Sequence, residues 1–218
     1  MSYVLHHCHG ARSARTLWLL EELGAEYELV VHPFPPVLLD KPYLDRVAHG
    51  RVPALEIDGE VLFESGAIAE VLCERHPGPL WRAPGSAERA QWLQWLHFAE
   101  TIGAHLASLT QQHVVIFEDK DRSPLVMKLE RKRLEKCLGL VEARLAGRDH
   151  LLDGGFSAAD IAIGYALEVA ARFTPLQEVP KAAAYLERLK QRPAYQRAQP
   201  PEGTPPLYGR AFYPLPQS

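Results

Sequence analysis

Hydrophobic and polar residues follow two different periods along this chain. Alternating segments, which are typical of strands, cover residues 3–7, 27–31, 54–57 and 61–63. Apolar residues recur every three or four positions from Ser13 to Leu23 and from Ser65 to Arg75, which predicts two helices. Gly24 is predicted to end the first of these helices. Asp58-Gly59 separates the last two strands and favours a hairpin, because both residues tolerate positive φ.

The rest of the chain is predicted to be helical. From Ser86 onward no strand pattern is visible, and apolar residues at helical spacing indicate two long helices followed by shorter ones. We expect a last helix from Ala182 to Arg192, which Pro193 would end. The tail from Gln199 onward is rich in proline and is expected to run extended over the surface.

This order of elements predicts a two-domain fold. Strand, helix, strand, hairpin and helix in sequence match a thioredoxin-like α/β domain over residues 1–77. Residues 78–85 contain a Pro-Gly-Pro turn and are the expected linker. Residues 86–218 are predicted to form an all-α domain with the proline-rich tail. Within it, Ser157 and Asp160 have the spacing of a helix capping box, to which we assign a structural role.

Composition excludes several classes of function. Hydrophobic residues make up 47% of the 218 residues and charged residues 23%, which are ordinary values for a globular protein. A formal net charge of -3, without a long Lys/Arg block, does not favour nucleic-acid binding. No apolar run is long enough for a transmembrane helix, and no signal peptide is predicted. The cysteines Cys8, Cys73 and Cys137 form no CxxC pair, so we expect a reducing cytoplasm.

Two short segments suggest a site for a small peptide. Val52-Pro53 precedes a strand, and if its peptide bond is cis, Val52 can offer its backbone N–H and C=O to a ligand. Ser65 begins a helix whose first turn carries unpaired N–H groups and partial positive charge, which suits a carboxylate. Glu64 offers the opposite charge, which suits an ammonium group. A carboxylate, an ammonium and a backbone that needs strand-like pairs are the recognition points of glutathione.

At these residues the chain resembles the cytosolic glutathione S-transferases, of bacterial type and without a clear class. The resemblance covers nearly the whole length. Its marks are, in chain order, Arg15-Thr16-Leu17-Trp18-Leu19-Leu20-Glu21-Glu22-Leu23-Gly24, Val52-Pro53, Glu64-Ser65 and Phe156-Ser157-Ala158-Ala159-Asp160. It implies a glutathione transferase fold and a detoxifying homodimer in the cytoplasm, in which the thiolate of glutathione attacks a small hydrophobic electrophile. It also implies that glutathione is held by Arg51, Val52, Pro53, Glu64 and Ser65.

The expected thiol-activating side chain is absent. In the serine and cysteine classes of this family that residue stands four or five positions before the arginine of the first helix, and here these positions are Ala11 and Gly10. Ser13 is our candidate catalytic donor, with the alternative that it only caps the helix. Backbone N–H groups of Arg12 and Ser13 are a second source of hydrogen bonds to the thiolate.

The resemblance further implies a pocket for the electrophile, which would involve His9, Gly10, His105 and Leu109. His9 is either a wall of that pocket, a general base near the thiol or an exposed loop residue. Residues 6–9, His-His-Cys-His, do not favour a metal site, because alternation leaves at most two ligands on either side. Two other functions stay open: a glutathione-dependent thiol–disulfide reductase that uses Cys8, and a non-catalytic binding or regulatory protein.

Overall fold

A computed structural model gives the structure of residues 2–34, 41–47 and 49–216. The proline-rich segment from His32 to Pro36 is a predicted loop. The structure describes it as far as Phe34, and Pro35 and Pro36 lie outside the described residues. The strands are β1 (Tyr3–His7), β2 (Tyr27–Val31), β3 (Ala54–Ile57) and β4 (Glu60–Phe63). The helices are α1 (Ser13–Leu23), α2 (Lys41–Arg46), α3 (Ser65–Arg75), α4 (Arg89–Thr110), α5 (Pro124–Arg144), α6 (Ala158–Ala170), α7 (Pro180–Lys190) and α8 (Pro193–Arg197).

The strands form one mixed sheet in the order β2-β1-β3-β4. β1 runs parallel to β2 and antiparallel to β3, and His6 pairs with Ala54 at the end of that ladder. β3 and β4 form the predicted hairpin, in which Asp58 and Gly59 adopt φ values of 51° and 90°. The positive φ at both positions explains the Asp-Gly sequence of this turn. Gly24 ends α1 in the left-handed conformation, as predicted.

The chain divides into two compact units, Met1–Trp81 with Gln191–Leu207, and Arg82–Lys190 with Tyr208–Ser218. This division differs from the predicted domains, because Gln191–Leu207 belongs to the first unit. The prediction that the helix before Pro193 is the last one was wrong. Pro193 instead occupies the first turn of α8, where its missing N–H costs no hydrogen bond.

Ion pairs and an aromatic contact fasten α8 to α1 in the first unit. Arg192 donates two hydrogen bonds to Glu22, at 2.6 and 2.8 Å, and Arg197 pairs with Glu21 at 2.5 Å. The rings of Trp18 and Tyr195 meet edge to face with their centres 5.0 Å apart. Such bidentate pairs are geometrically specific. They give the physical reason why the segment after α7 groups with the first unit.

The second unit is built around α4, which packs against α5 and α6. Trp92, Leu96 and Ile102 of α4 are buried in this helical core. The predicted capping box is present at the start of α6: Asp160 accepts hydrogen bonds from the Ser157 N–H and hydroxyl at 2.8 and 3.0 Å. The buried Asp160 carboxylate also accepts from the Leu151 N–H at 2.9 Å and from the Tyr185 hydroxyl at 2.7 Å. It therefore joins α6, α7 and the segment before α6.

We expect Tyr185→Phe to lower the free energy of unfolding by about 1–2 kcal/mol, because a buried carboxylate loses one of its donors. Tyr27→Phe is the matched control. Its hydroxyl also donates to a carboxylate, Glu21, but that group is partly exposed and is bonded by Arg197 as well. Urea denaturation followed by circular dichroism measures both variants. Equal losses for the two would contradict the importance of burial at Asp160.

Candidate glutathione site

The candidate site lies where β1 ends and β3 begins. Antiparallel pairing of His6 with Ala54 fixes the register, and its continuation brings the chain after His7 alongside Val52 and Pro53. The Val52–Pro53 peptide bond is cis. The turn at Val52 and the loop between β1 and α1 thus lie at the same edge of the sheet.

Tyr43 of α2 anchors the Val52 turn. Its hydroxyl donates a 2.5 Å hydrogen bond to the backbone carbonyl of Arg51. The Val52 side chain packs against a buried cluster of Tyr43, Val47 and Ala54. Burial raises the pKa of Tyr43 to about 12, so the hydroxyl keeps its proton and remains a donor at neutral pH. The backbone of Val52 is therefore held in place from both sides of the turn.

Glu64 and Ser65 form the second part of the site, at the start of α3. Glu64 adopts a φ of 68°, which is uncommon for a residue with a side chain, and its carbonyl accepts from the Ile68 N–H at 2.9 Å. Its carboxylate side chain is exposed. Ser65 is buried, and Arg15 of α1 donates a 2.5 Å hydrogen bond to its Oγ. Arg15 thereby ties the beginning of α3 to α1.

These groups have complementary recognition chemistry. The first turn of α3 provides N–H groups and partial positive charge for an anion. The exposed carboxylate of Glu64 provides a partner for a cation. The Arg51 side chain is also exposed and forms no hydrogen bond with the residues that the structure describes. The edge can therefore receive a small zwitterionic peptide with a second carboxylate at its far end.

Ser13 occupies an unexpected position. Arg12 stands at the N-cap of α1, so the prediction that Ser13 caps this helix was wrong. The Ser13 side chain is 0% exposed, and its Oγ accepts from the Cys8 N–H at 3.0 Å. The same oxygen lies 2.9 Å from His7 Nδ1 and 3.3 Å from the Cys8 carbonyl. The hydroxyl therefore faces the end of β1 rather than solvent, and its role as catalytic donor remains a prediction.

The His7 and His9 rings extend this hydrogen-bond chain outward. His7 Nε2 lies 3.1 Å from His9 Nδ1, and the two rings meet edge to face. Burial, followed by the neighbouring His9, lowers the pKa of His7 to about 4, against an opposing hydrogen bond with Ser13. Burial also lowers the pKa of His9. Both rings are therefore neutral at pH 7, although His9 is only half-buried.

Gly10 explains why no hydroxyl stands in the loop. Its φ is 77°, a conformation that residues with side chains seldom adopt. A Cβ at this position would also come within 3.2 Å of the Leu207 Cβ. A serine at position 10 would therefore be both strained and crowded.

The remaining predicted residues lie in the second unit or in the protein interior. His105 of α4 pairs with Glu130 of α5 at 2.7 Å. Leu109 is 1% exposed and belongs to the helical core, so its predicted place in an open pocket is not supported by its burial. Cys8 is buried, and burial raises the pKa of its thiol. The described part of the chain contains no cluster of metal-ligating residues and no helix that could cross a membrane.

Sequence reasoning missed the contributions of His7, Tyr43 and Arg15 to this arrangement. The sequence pattern raises His7 only as a possible metal ligand, although its place at the end of a buried strand is a signal for an internal hydrogen bond. Tyr43 and Arg15 act across eight and fifty positions of the chain. No local pattern reveals such pairs.

Comparison with known proteins identifies the family. Residues 5–80 match the model of the glutathione S-transferase N-terminal domain, and residues 124–188 match that of the C-terminal domain. A glutathione S-transferase-like protein of Beauveria bassiana, OpS6, is 30% identical over 203 residues, which cover 88% of this chain and 91% of that protein. The chain belongs to the glutathione S-transferase family.

Solved structures of the family agree with this assignment. The glutathione transferase URE2P6 of Phanerochaete chrysosporium, in complex with oxidized glutathione, is 28% identical with a TM-score of 0.79, over 90% of this chain and 94% of that one. A glutathione transferase of Pseudomonas putida with bound glutathione disulfide is 25% identical with a TM-score of 0.77, over 90% of both chains. The chain thus has the family fold throughout its matched length.

We expect Cys8 to react slowly with iodoacetamide at pH 7 to 8, because a raised pKa and burial both lower the concentration of accessible thiolate. Mass spectrometry of labelled peptides separates Cys8 from Cys73 and Cys137. Labelling in urea is the control, in which all three thiols should react. Rapid labelling of Cys8 alone in the folded protein would favour the reductase alternative.

Proposed function

We propose that this transferase binds glutathione at the edge formed by Val52, Glu64 and Ser65, and promotes attack of its thiolate on a small hydrophobic electrophile. The observation that carries the proposal is the exposed carboxylate of Glu64, the N-cap residue of α3, directly before the first-turn N–H groups that can receive an anion. Its family membership and the glutathione-bound structures of its relatives support the same ligand.

The tripeptide fits this edge in one direction. Its γ-glutamyl end carries both an ammonium and a carboxylate, which suit Glu64 and the first turn of α3. Its central backbone amides suit Val52, and its glycine carboxylate suits the exposed guanidinium of Arg51. The cysteinyl residue is the central one, so its thiol lies near Val52 and the loop after β1.

The electrophile pocket in this proposal lies at the loop of His9 and Gly10, beside the proposed position of the thiol. The electrophile itself is given only as a hydrophobic compound with a leaving group or an activated double bond. No resident metal takes part in the proposal. The proposed setting is the cytoplasm, where glutathione is abundant and the free thiols of the chain stay reduced.

One observation favours a second candidate function. The absence of a hydroxyl at Gly10 and Ala11 is compatible with a non-catalytic protein that binds glutathione and serves as a regulatory partner. The reductase alternative is weaker, because the thiol of Cys8 is buried and its pKa is raised. Activity measurements with model electrophiles and with disulfides, made on protein that binds glutathione, distinguish the three functions. Conjugation indicates the transferase, disulfide reduction indicates the reductase, and the absence of both activities indicates the non-catalytic protein.

Glu64→Ala should weaken glutathione binding about 10- to 100-fold, because one hydrogen bond to a charged group contributes about 1.5–3 kcal/mol. Glu60→Ala is the matched control, since Glu60 is an exposed carboxylate of β4 on the same short segment. Calorimetric titration with glutathione measures both variants. Unchanged affinity in Glu64→Ala would refute the proposed site.

We further propose that the protein is a two-fold homodimer. Leu125, Leu129 and Leu140 are exposed on the same side of α5, and we propose that this leucine stripe, which Lys132 and Lys136 interrupt, packs against a second copy. Light scattering should give twice the chain mass of 24.4 kDa. Leu129→Glu should shift the protein toward the monomer, because it places a charge in the stripe.

Val115→Glu is the control for the dimer experiment. Val115 is 44% exposed, as is Leu129, but it lies outside the stripe. A monomeric parent protein at micromolar concentration would contradict the dimer. Equal dissociation by both substitutions would contradict the assignment of the stripe.

A further inference from the structure

A chain of hydrogen bonds leads from the backbone at the end of β1 to the surface of the candidate site. It begins at the N–H of Cys8, which can only donate, and which donates to Ser13 Oγ at 3.0 Å. It continues through His7, with Nδ1 at 2.9 Å from Ser13 Oγ, to His9, whose Nδ1 lies 3.1 Å from His7 Nε2. Its members are successive polar groups of the first unit.

The contacts around Ser13 favour one direction of donation along this chain. The Ser13 hydroxyl hydrogen has two acceptors within reach, His7 Nδ1 at 2.9 Å and the Cys8 carbonyl at 3.3 Å. The Cys8 carbonyl already accepts from the Ala11 N–H at 3.0 Å. The shorter contact, to an acceptor with a single lone pair in the ring plane, is therefore favoured.

This direction decides the protonation of both rings. If His7 Nδ1 accepts from Ser13, a neutral His7 carries its proton on Nε2 and donates it to His9 Nδ1. A neutral His9 must then carry its own proton on Nε2. Within the described residues, no other group forms a hydrogen bond with His9 Nε2. Because His9 is half-buried and its Nδ1 faces His7, this N–H points away from the other members of the hydrogen-bond series.

We propose that His9 is the side chain that stabilises the thiolate of glutathione, by donating a hydrogen bond from Nε2, and that His7 and Ser13 are positioning residues that act through it. The proposal rests on the glutathione site proposed above. The register of β1 and β3 supports it, because it brings the loop of His9 alongside Val52, where the central cysteinyl residue of the tripeptide lies.

The proposed step leaves the histidines uncharged. The thiol S–H bond breaks, its proton goes to solvent, and the electron pair stays on sulfur, where the His9 N–H donates to it. The sulfur then forms a bond to the electrophile, whose leaving group departs with its electron pair, or whose activated double bond takes the electrons and a proton from water. Lowered pKa values keep His7 and His9 neutral at pH 7, so His9 acts here as a donor and not as a base.

Polarisation along this series of hydrogen bonds strengthens the His9 N–H as a donor. Each donor in a directed series of hydrogen bonds becomes a better donor because it also accepts one. A buried hydroxyl can therefore act on a thiol that it does not touch. This arrangement replaces a side-chain hydroxyl in a loop where Gly10 has no room for one.

The test follows the ionisation of bound glutathione through the ultraviolet absorbance of its thiolate as a function of pH. In the parent protein the thiol pKa should lie below its free value of about 8.5. His9→Ala should raise it by about one unit or more, since a hydrogen bond to an anion favours the ionised form. His9→Gln should restore most of the shift, because its amide keeps an N–H donor at a similar distance. Ser13→Ala should raise the pKa in part.

His76→Gln is the matched control. His76 is a half-buried histidine that hydrogen bonds the Tyr3 hydroxyl at 2.9 Å, at the opposite end of β1, and its substitution should leave the thiol pKa unchanged. Arg12, the cation of the same loop, is present in every variant, so its effect cancels in the comparison. The readout needs no electrophile.

The outcomes separate the two proposals. Failure of the parent protein to bind glutathione by calorimetry refutes the proposed function. Binding with an unshifted thiol pKa overturns the role of His9, because no donor then stabilises the thiolate. The same lowered pKa in His9→Ala also overturns it, and leaves the backbone N–H groups of α1 as the donors. A pKa that rises in His9→Ala and falls again in His9→Gln supports the proposal. If Ser13→Ala does not fold, the two His9 variants still decide the question.

Discussion

The pairing of β1 with β3 is the contact on which the candidate site depends. It is antiparallel and ends at His6 and Ala54, so the residues that follow β1 lie beside those that precede β3. One of these segments is the loop with His9, and the other is the turn at Val52. The sheet thereby brings a rigid backbone recognition element and a polar loop to one edge, although more than forty positions separate them along the chain.

Burial then determines what the polar groups at this edge can do. His7 and Ser13 are enclosed at the end of β1, where a charged imidazole would lack solvation, and the pKa of His7 falls to about 4. Burial also raises the pKa of the Cys8 thiol and so makes it a poor nucleophile. Its position beside two histidines therefore does not make a catalytic cluster. The environment turns these residues into neutral donors and packing groups.

Much of the fold was predictable because its signals are local. The alternation of the strands, Asp58-Gly59 and the Ser157–Asp160 box each act within a few residues, and the structure has all of them. The start of α8 was missed because proline both ends one helix and begins another, and the sequence alone does not distinguish the two. The ion pairs that hold α8 to α1 connect residues 170 or more positions apart.

The candidate site was predictable only where backbone features leave a signature in the sequence. Val52-Pro53 and Glu64-Ser65 are recognisable because a turn and a helix start have sequence signatures. Ser13 is predicted as a thiolate donor or a helix cap, but the direction of its hydroxyl depends on the end of β1, toward which it turns. A residue near a helix start has two sets of partners, the helix N–H groups and the strand that precedes it. Here the strand offers a buried N–H and an imidazole, and a buried donor left without an acceptor is costly. Because of that cost the Ser13 hydroxyl faces the interior, and its hydrogen bonds connect to the surface through the His7 and His9 rings.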